Sequence, residues 1–303
     1  MRVLVTGVNG FLGRAVAEEL LRGGHSVCGI ARGEQGFSPR IDYRRLDIAD
    51  FAGVEELLAG ERPDAVVHLA ALVHRRDALE QDYERINAEA SRRLFAACQR
   101  HGVPIAVLAS TIEVYGAREG TVDEQTPVAP VTPYGRSKVA AEAAAAALPR
   151  HAILRLTPLY GPGHMDNVEK RFYLPRTRIG LRFGKGDYAF HFCQVERVAQ
   201  FIRAFLEGEG APGIYVLSDP EMLRASVYLR RQRADGAMRF ALAVPRGLGR
   251  AAVAALEVML RLTGRRNPFV SRYNFDKLFR STRYDGSKAQ SVIDGAKQRR
   301  RAQ

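Results

Sequence analysis

Tyr134 and Lys138 stand four residues apart in the stretch TPYGRSKVAAE, residues 132–142. On a helix this spacing puts both side chains on one face, where an ammonium beside a phenol favours the phenolate. A phenol that titrates near neutrality can take or give a hydroxyl proton. Thr132 suits the N-cap and Pro133 the first helical position, so a helix is expected to begin just before the tyrosine. Spacing alone does not select this pair, because Tyr273/Lys277 and Tyr284/Lys288 repeat it in a chain with six lysines. Position does: only Tyr134 follows a predicted strand, residues 104–111, that ends in Ser110 and Thr111. A lysine at 138 is itself informative among 40 arginines, since an ammonium can titrate and a guanidinium cannot.

Proton transfer at a carbinol needs a hydride acceptor, and the start of the chain offers a place for one. Residues 2–13, RVLVTGVNGFLG, read as a buried strand, a glycine-rich turn and the start of a helix. Gly7, Gly10 and Gly13 have the spacing that lets backbone approach a pyrophosphate, with Asn9, Phe11 and Leu12 between them. The second strand, residues 26–31, ends without the carboxylate that usually holds a ribose 2′-hydroxyl. Arg32 follows, which favours NADP, while NAD stays open. Asp47, next to Ile48, offers an acceptor for an adenine amino group. Residues 63–71 form the next strand and end in the small segment Leu69, Ala70 and Ala71. A helix over 83–100 carries Asn87 among apolar residues.

Strand and helix alternate through Thr157, which predicts an α/β fold with a doubly wound parallel sheet of the Rossmann type. Beyond it the rhythm breaks. Residues 1–157, with 190–218 returning to them, are expected to form the dinucleotide-binding domain; 158–189 and 219–303 are expected to form a smaller, mixed substrate domain. A basic run with Arg171, Arg176, Arg178 and Arg182 would suit a segment covering an anionic substrate.

The net charge of +13 is unevenly placed. Residues 221–303 hold 19 Lys and Arg against 6 Asp and Glu, so the first 220 residues are neutral. No nucleic-acid module or repeat is visible, and the basic part is read as meeting an anionic small molecule, a membrane surface or solvent. Residues 249–262 are apolar nearly all round with arginines on both flanks, which leaves packing against a partner subunit, as in a homodimer, or weak peripheral contact with anionic lipids. Three dispersed cysteines, Cys28, Cys98 and Cys193, give neither a disulfide framework nor a metal pattern and fit a cytoplasmic location. A strand beginning at Arg2 leaves no room for a signal peptide, and no apolar run is long enough to span a membrane.

Five motifs in order resemble the extended short-chain dehydrogenase/reductase family, in its nucleotide-sugar epimerase/dehydratase branch. They are TGVNGFLG (6–13), HLAA (68–71), ASTIEVYG (109–116), YGRSK (134–138) and LYGPG (159–163), with a weaker continuation over 183–198. The resemblance implies Tyr134 as general acid/base, Lys138 as the group that lowers its pKa and holds the nicotinamide ribose, and Thr111 as the residue that orients the substrate hydroxyl. Asn87 would be structural or part of a proton relay. Glu113, Tyr160, Arg176 and Arg182 are expected at the substrate. Dehydratases of this branch carry Thr-Asp-Glu where this chain has Thr111-Ile112-Glu113, and isoleucine cannot protonate a departing hydroxyl. Pro158, expected beside the cofactor, stands where many nucleotide-sugar enzymes have a substrate-contacting Asn. The expected activity is epimerisation of a nucleotide diphosphate sugar by transient oxidation. The alternatives are an NADPH-dependent ketoreductase of a keto sugar or other carbonyl, and a non-catalytic NADP-binding sensor or scaffold.

Overall fold

A computed structural model describes the chain except residues 74, 76, 175, 264–271, 278, 280, 281 and 303. Seven strands form one parallel sheet: β1 (Arg2–Thr6), β2 (Ser26–Ala31), β3 (Asp42–Arg45), β4 (Ala65–His68), β5 (Ile105–Thr111), β6 (Arg150–Leu156) and β7 (Gly213–Leu217), in the order β7-β6-β5-β4-β1-β2-β3. The order reverses between β1 and β4, and in such sheets ligands bind outside the carboxyl ends of the strands at that switch point. The α/β doubly wound reading is therefore met. Edge strand β3 was not anticipated, because its sequence, Asp-Tyr-Arg-Arg, lacks an apolar pattern.

Period-two alternation decides which face each strand residue serves. Val3 and Val5 point to one side, with Val67, Val107 and Leu154; they pack against α1 (Phe11–Arg22) and, farther on, Phe201 and Phe205. Leu4, Val66, Leu108 and Ile153 point to the other, against α2 (Phe51–Glu61), α3 (Ala90–Arg100) and α4 (Pro133–Ala145). The helix that carries Phe201 and Phe205 is α5 (Val195–Leu206).

Residues 158–192 and 219–262 supply a separate core of Phe172, Tyr188, Phe192, Tyr228, Leu229 and Met238. Helix α6 (Ala225–Ala234) lies here, and the strand Phe240–Val244 pairs in parallel with Ile179–Phe183 before α7 (Arg246–Leu262). The end of the chain departs from the expected division. Helix α8 (Ser287–Ala302) returns to the large sheet, where Ala289, Val292, Ile293 and Ala296 join the core around α5 and Tyr215. The reason is a narrow apolar stripe at i, i+3, i+4 and i+7 on an otherwise polar helix. Among the described residues no helix is long and apolar enough to cross a membrane.

Candidate active site

The glycine-rich turn is shaped by contacts that allow no side chain. Gly7 has φ +72°, and a Cβ there would meet Ala70 N at 2.9 Å; at Gly13 it would meet Gly7 O at 2.2 Å. The turn thus lies directly on Leu69-Ala70-Ala71, which Thr6 holds by accepting the Leu69 and Ala70 amides at 3.1 Å each. The amides of Phe11, Leu12 and Gly13 at the start of α1 carry no hydrogen bond among the described residues; Arg14 N already uses Gly10 O at 2.9 Å. Free amides at the positive end of a helix fit a pyrophosphate. Asn9 is occupied elsewhere: its amide donates to Gln35 O at 2.8 Å and its oxygen accepts Phe37 N at 3.1 Å, so it pins the loop after β2. The Phe11 ring stacks on His164, 4.2 Å between centroids, tying the turn to the 159–164 segment.

At the end of β2, Arg32, Arg45, Leu46, Asp47 and Asp50 line an open hollow of about 570 Å³. Arg32 has no carboxylate partner among the described residues, whereas Arg45 pairs with Glu34 at 2.6 Å. Asp47 uses one oxygen on Ala49 N, and Ile48 is buried beside it. The carboxylate and arginine that the sequence placed at a cofactor's adenosine end thus share one hollow.

Thr132 caps α4 by accepting Gly135 N at 2.9 Å, with Pro133 in the first turn as expected. One turn later Tyr134 and Lys138 are both buried. Thr111, at the end of β5, accepts Glu113 N at 3.2 Å and is hydrogen-bonded to the Tyr134 phenol. Lys138 is desolvated with no paired carboxylate among the described residues, and burial pulls it down to about 8, with Glu142 opposing. Glu142 cannot neutralise it fully, because Arg155 holds that carboxylate at 2.8 and 3.1 Å and Ser110 donates to it at 2.5 Å.

The direction of the tyrosine's shift differs from the one expected. The Tyr134 phenol is pushed up, first by burial and then by the Glu113 carboxylate; the Thr111 hydrogen bond works the other way. The helical spacing puts the lysine on the tyrosine's side of α4, but burial and Glu113 set the direction of the shift. Glu113 lies close enough to act on the phenol and accepts the Thr132 hydroxyl at 3.0 Å.

Asn87 is placed by a π-helical turn, Glu84–Glu89, within the helix that the sequence predicted over 83–100. It accepts Leu72 N at 2.7 Å and donates to Leu72 O at 2.9 Å and to Ser137 at 3.1 Å, joining the chain after β4 to α4. Sequence reasoning missed Tyr83, whose ring lies 6.3 Å from that of Tyr134, and His68.

The arginines sort differently from expectation. Arg176 and Arg182 are exposed at the surface. Arg171 instead lies over the Phe190 and Phe192 rings, at 5.4 and 5.1 Å, with no carboxylate among the described residues, and desolvation lowers it to about 10. Tyr160 packs edge-on against the same Phe192. Pro158 lies past the end of β6, its carbonyl accepting Cys193 N at 3.1 Å. The competing pair Tyr284/Lys288 is split: Tyr284 is buried on a strand, while Lys288 donates to Ile214 O at 2.7 Å and sits over the Tyr215 ring. The side chains of Tyr273 and Lys277 lie outside the described residues.

The family model for "NAD dependent epimerase/dehydratase family" matches residues 3–218. The chain belongs to this family. It is therefore an enzyme of the nucleotide-sugar epimerase/dehydratase type, in agreement with the resemblance read from the motifs. It is 34% identical over 230 residues, 68% of this chain and 72% of the other, to a protein of Bacillus subtilis (strain 168) described as an uncharacterized UDP-glucose epimerase. It is 36% identical over 242 residues, 71% of each, to the dTDP-glucose 4,6-dehydratase of Streptomyces niveus. Among solved structures, MoeE5 in complex with UDP-glucuronic acid and NAD superposes with a TM-score of 0.74 at 24% identity, covering 97% of this chain and 93% of that one, a likeness of fold.

Proposed function

We propose that this enzyme is an NAD(P)-dependent epimerase of a nucleotide diphosphate sugar. The observation that carries the reading is the hydrogen-bonded pair Thr111 and Tyr134, with Lys138 one helical turn on, all three buried, beside a sheet whose glycine turn leaves helix amides unpaired among the described residues. The relatives named above act, by their descriptions, on UDP- or dTDP-glucose, which supports a sugar diphosphate as substrate.

The dinucleotide, seated on the amides of Phe11, Leu12 and Gly13, would accept a hydride from a carbinol carbon and return it. The residues of the chain do the rest. As the phenolate, a form that the Lys138 ammonium and the positive charge of an oxidised nicotinamide would favour, Tyr134 takes the hydroxyl proton as the hydride leaves and gives it back when the hydride returns to the other face of the ketone. Thr111 donates to the phenolate oxygen and fixes its direction. Lys138, unpaired among the described residues, binds ribose hydroxyls and supplies the positive charge that the buried phenol needs. Arg171, desolvated on two aromatic faces, offers a counter-ion for the sugar's diphosphate. Ile112, beside Thr111, cannot protonate a leaving hydroxyl, which disfavours dehydration.

A second reading is supported by the Arg32 hollow, where an unpaired guanidinium suits a 2′-phosphate: NADPH-dependent reduction of a keto sugar or other carbonyl. Incubation with UDP-, GDP- and dTDP-sugars and either dinucleotide, followed by NMR of the products, separates the two. Interconversion of two sugars with no net change in dinucleotide is expected. Stoichiometric consumption of NADPH would sink the epimerase reading.

A further inference from the structure

Helix α7 leaves an apolar side open to water. Its charged residues, the arginines half-exposed, pair back onto the protein: Arg246 with Asp187, Arg250 with Asp276 at 3.0 Å, and Glu257 with Arg272 at 3.6 Å. Gly249, on the side of these pairs, packs against Phe183 and Phe275, leaving no room for a Cβ. The opposite side carries Leu248, Ala252, Ala255, Met259 and Leu262, spaced 4, 3, 4 and 3 residues apart, so they form one stripe. Leu248 is 63%, Met259 52% and Leu262 83% exposed, and Val258 at 54% widens the stripe. The preceding strand adds exposed Phe240 and Leu242. Seven of the thirteen exposed large hydrophobic residues among the described ones thus fall within residues 240–262. An apolar face of this extent marks an interaction surface.

The charge of the C-terminal part decides what covers it. The whole net charge of +13 resides in residues 221–303. Arg230, Arg233 and Arg239, which lead into Phe240, are exposed and have no ion pair among the described residues. The one acidic residue within 240–262, Glu257, is on the inward side and paired. A second copy docked by the same face would bring two such arginine sets together, which like-charge repulsion opposes. We propose that the outer face of α7, with Phe240 and Leu242, seats the protein on an anionic lipid surface. No described helix is long and apolar enough to cross a membrane, so α7 lies in the interface plane with its apolar stripe among the acyl chains and the arginines at the headgroups. This proposal is independent of which reaction the site performs.

The test is co-sedimentation of the full chain with vesicles of phosphatidylcholine alone or mixed with phosphatidylglycerol. Binding to the mixed vesicles is expected to be at least about tenfold tighter and to weaken in high salt. A variant with Leu248→Glu, Met259→Glu and Leu262→Glu is expected to lose binding while keeping the wild-type circular dichroism and dinucleotide affinity. Reversing charge by Arg230→Glu, Arg233→Glu and Arg239→Glu is expected to erase the preference for the anionic vesicles. The proposal is overturned by absence of binding, by equal binding to both vesicle types, by retention of binding in the triple Leu/Met variant, or by a solution dimer that this variant dissociates.

Discussion

At the scale of single residues, the site is a balance between burial and charge. Tyr134 is held as a neutral phenol by the loss of water and by Glu113, and Lys138 is close to losing its proton for the same first reason. Tyr134→Phe removes the proton acceptor without changing shape and is expected to lower kcat by about a thousandfold, while dinucleotide affinity measured by fluorescence stays near wild type. Because Lys138 titrates at about 8, its ammonium disappears as pH rises through that value, and dinucleotide affinity is expected to fall with it. Lys138→Met should bind weakly at every pH and show no such fall; a wild-type affinity that is flat between pH 7 and 9 would contradict the role given to the ammonium. The residue types and spacing of this site were legible in the sequence, since both follow from helix periodicity. The direction of the tyrosine's shift was not, because it depends on how completely the surrounding elements exclude water.

At the scale of elements, a buried polar string connects the glycine turn to α4. Thr6 accepts two amides, so its own proton goes to His68 Nδ1 at 2.7 Å; His68 Nε2 then donates to Ser91 at 3.0 Å, and Ser91 donates to Asn87 O at 2.5 Å. This fixes His68 as a neutral ring with its proton on Nε2. Burial, with the charge of Lys138 adding, lowers His68 to about 3. Between about 3 and 6.5 the unfolded chain binds a proton that the folded one refuses, so folding stability falls as pH drops through this window. His68→Gln should flatten the melting-temperature profile there, as read by circular dichroism. Asn87→Ala would leave both polar groups of Leu72 buried without partners and is expected to cost about 2–4 kcal/mol in urea unfolding. The motif HLAA was legible in the sequence, but the polar string through His68 was not, because it needs the π-helical turn that brings Asn87 to Leu72. A pattern of one residue in a helix carries no sign of an extra residue per turn.

At the scale of the whole molecule, the large sheet is completed by parts of the chain that are far apart in sequence. Helix α8 covers the α5 face with Ala289, Val292, Ile293 and Ala296, and Arg300 reaches Glu207 at 2.8 Å. Ile293→Ala is expected to cost about 2–4 kcal/mol. The loss should lower one cooperative transition of the sheet rather than split off a separate one, as calorimetry would show. The stripe was there to be read in the sequence, but the lysines and arginines around it made the segment look like solvated surface. Its position has a consequence for synthesis. During translation the residues matched by the family model, 3–218, emerge well before Ile293 does. Until then the nascent sheet must wait with Phe201, Phe205 and Tyr215 partly uncovered, an apolar face that chaperones on the ribosome would be the first to meet.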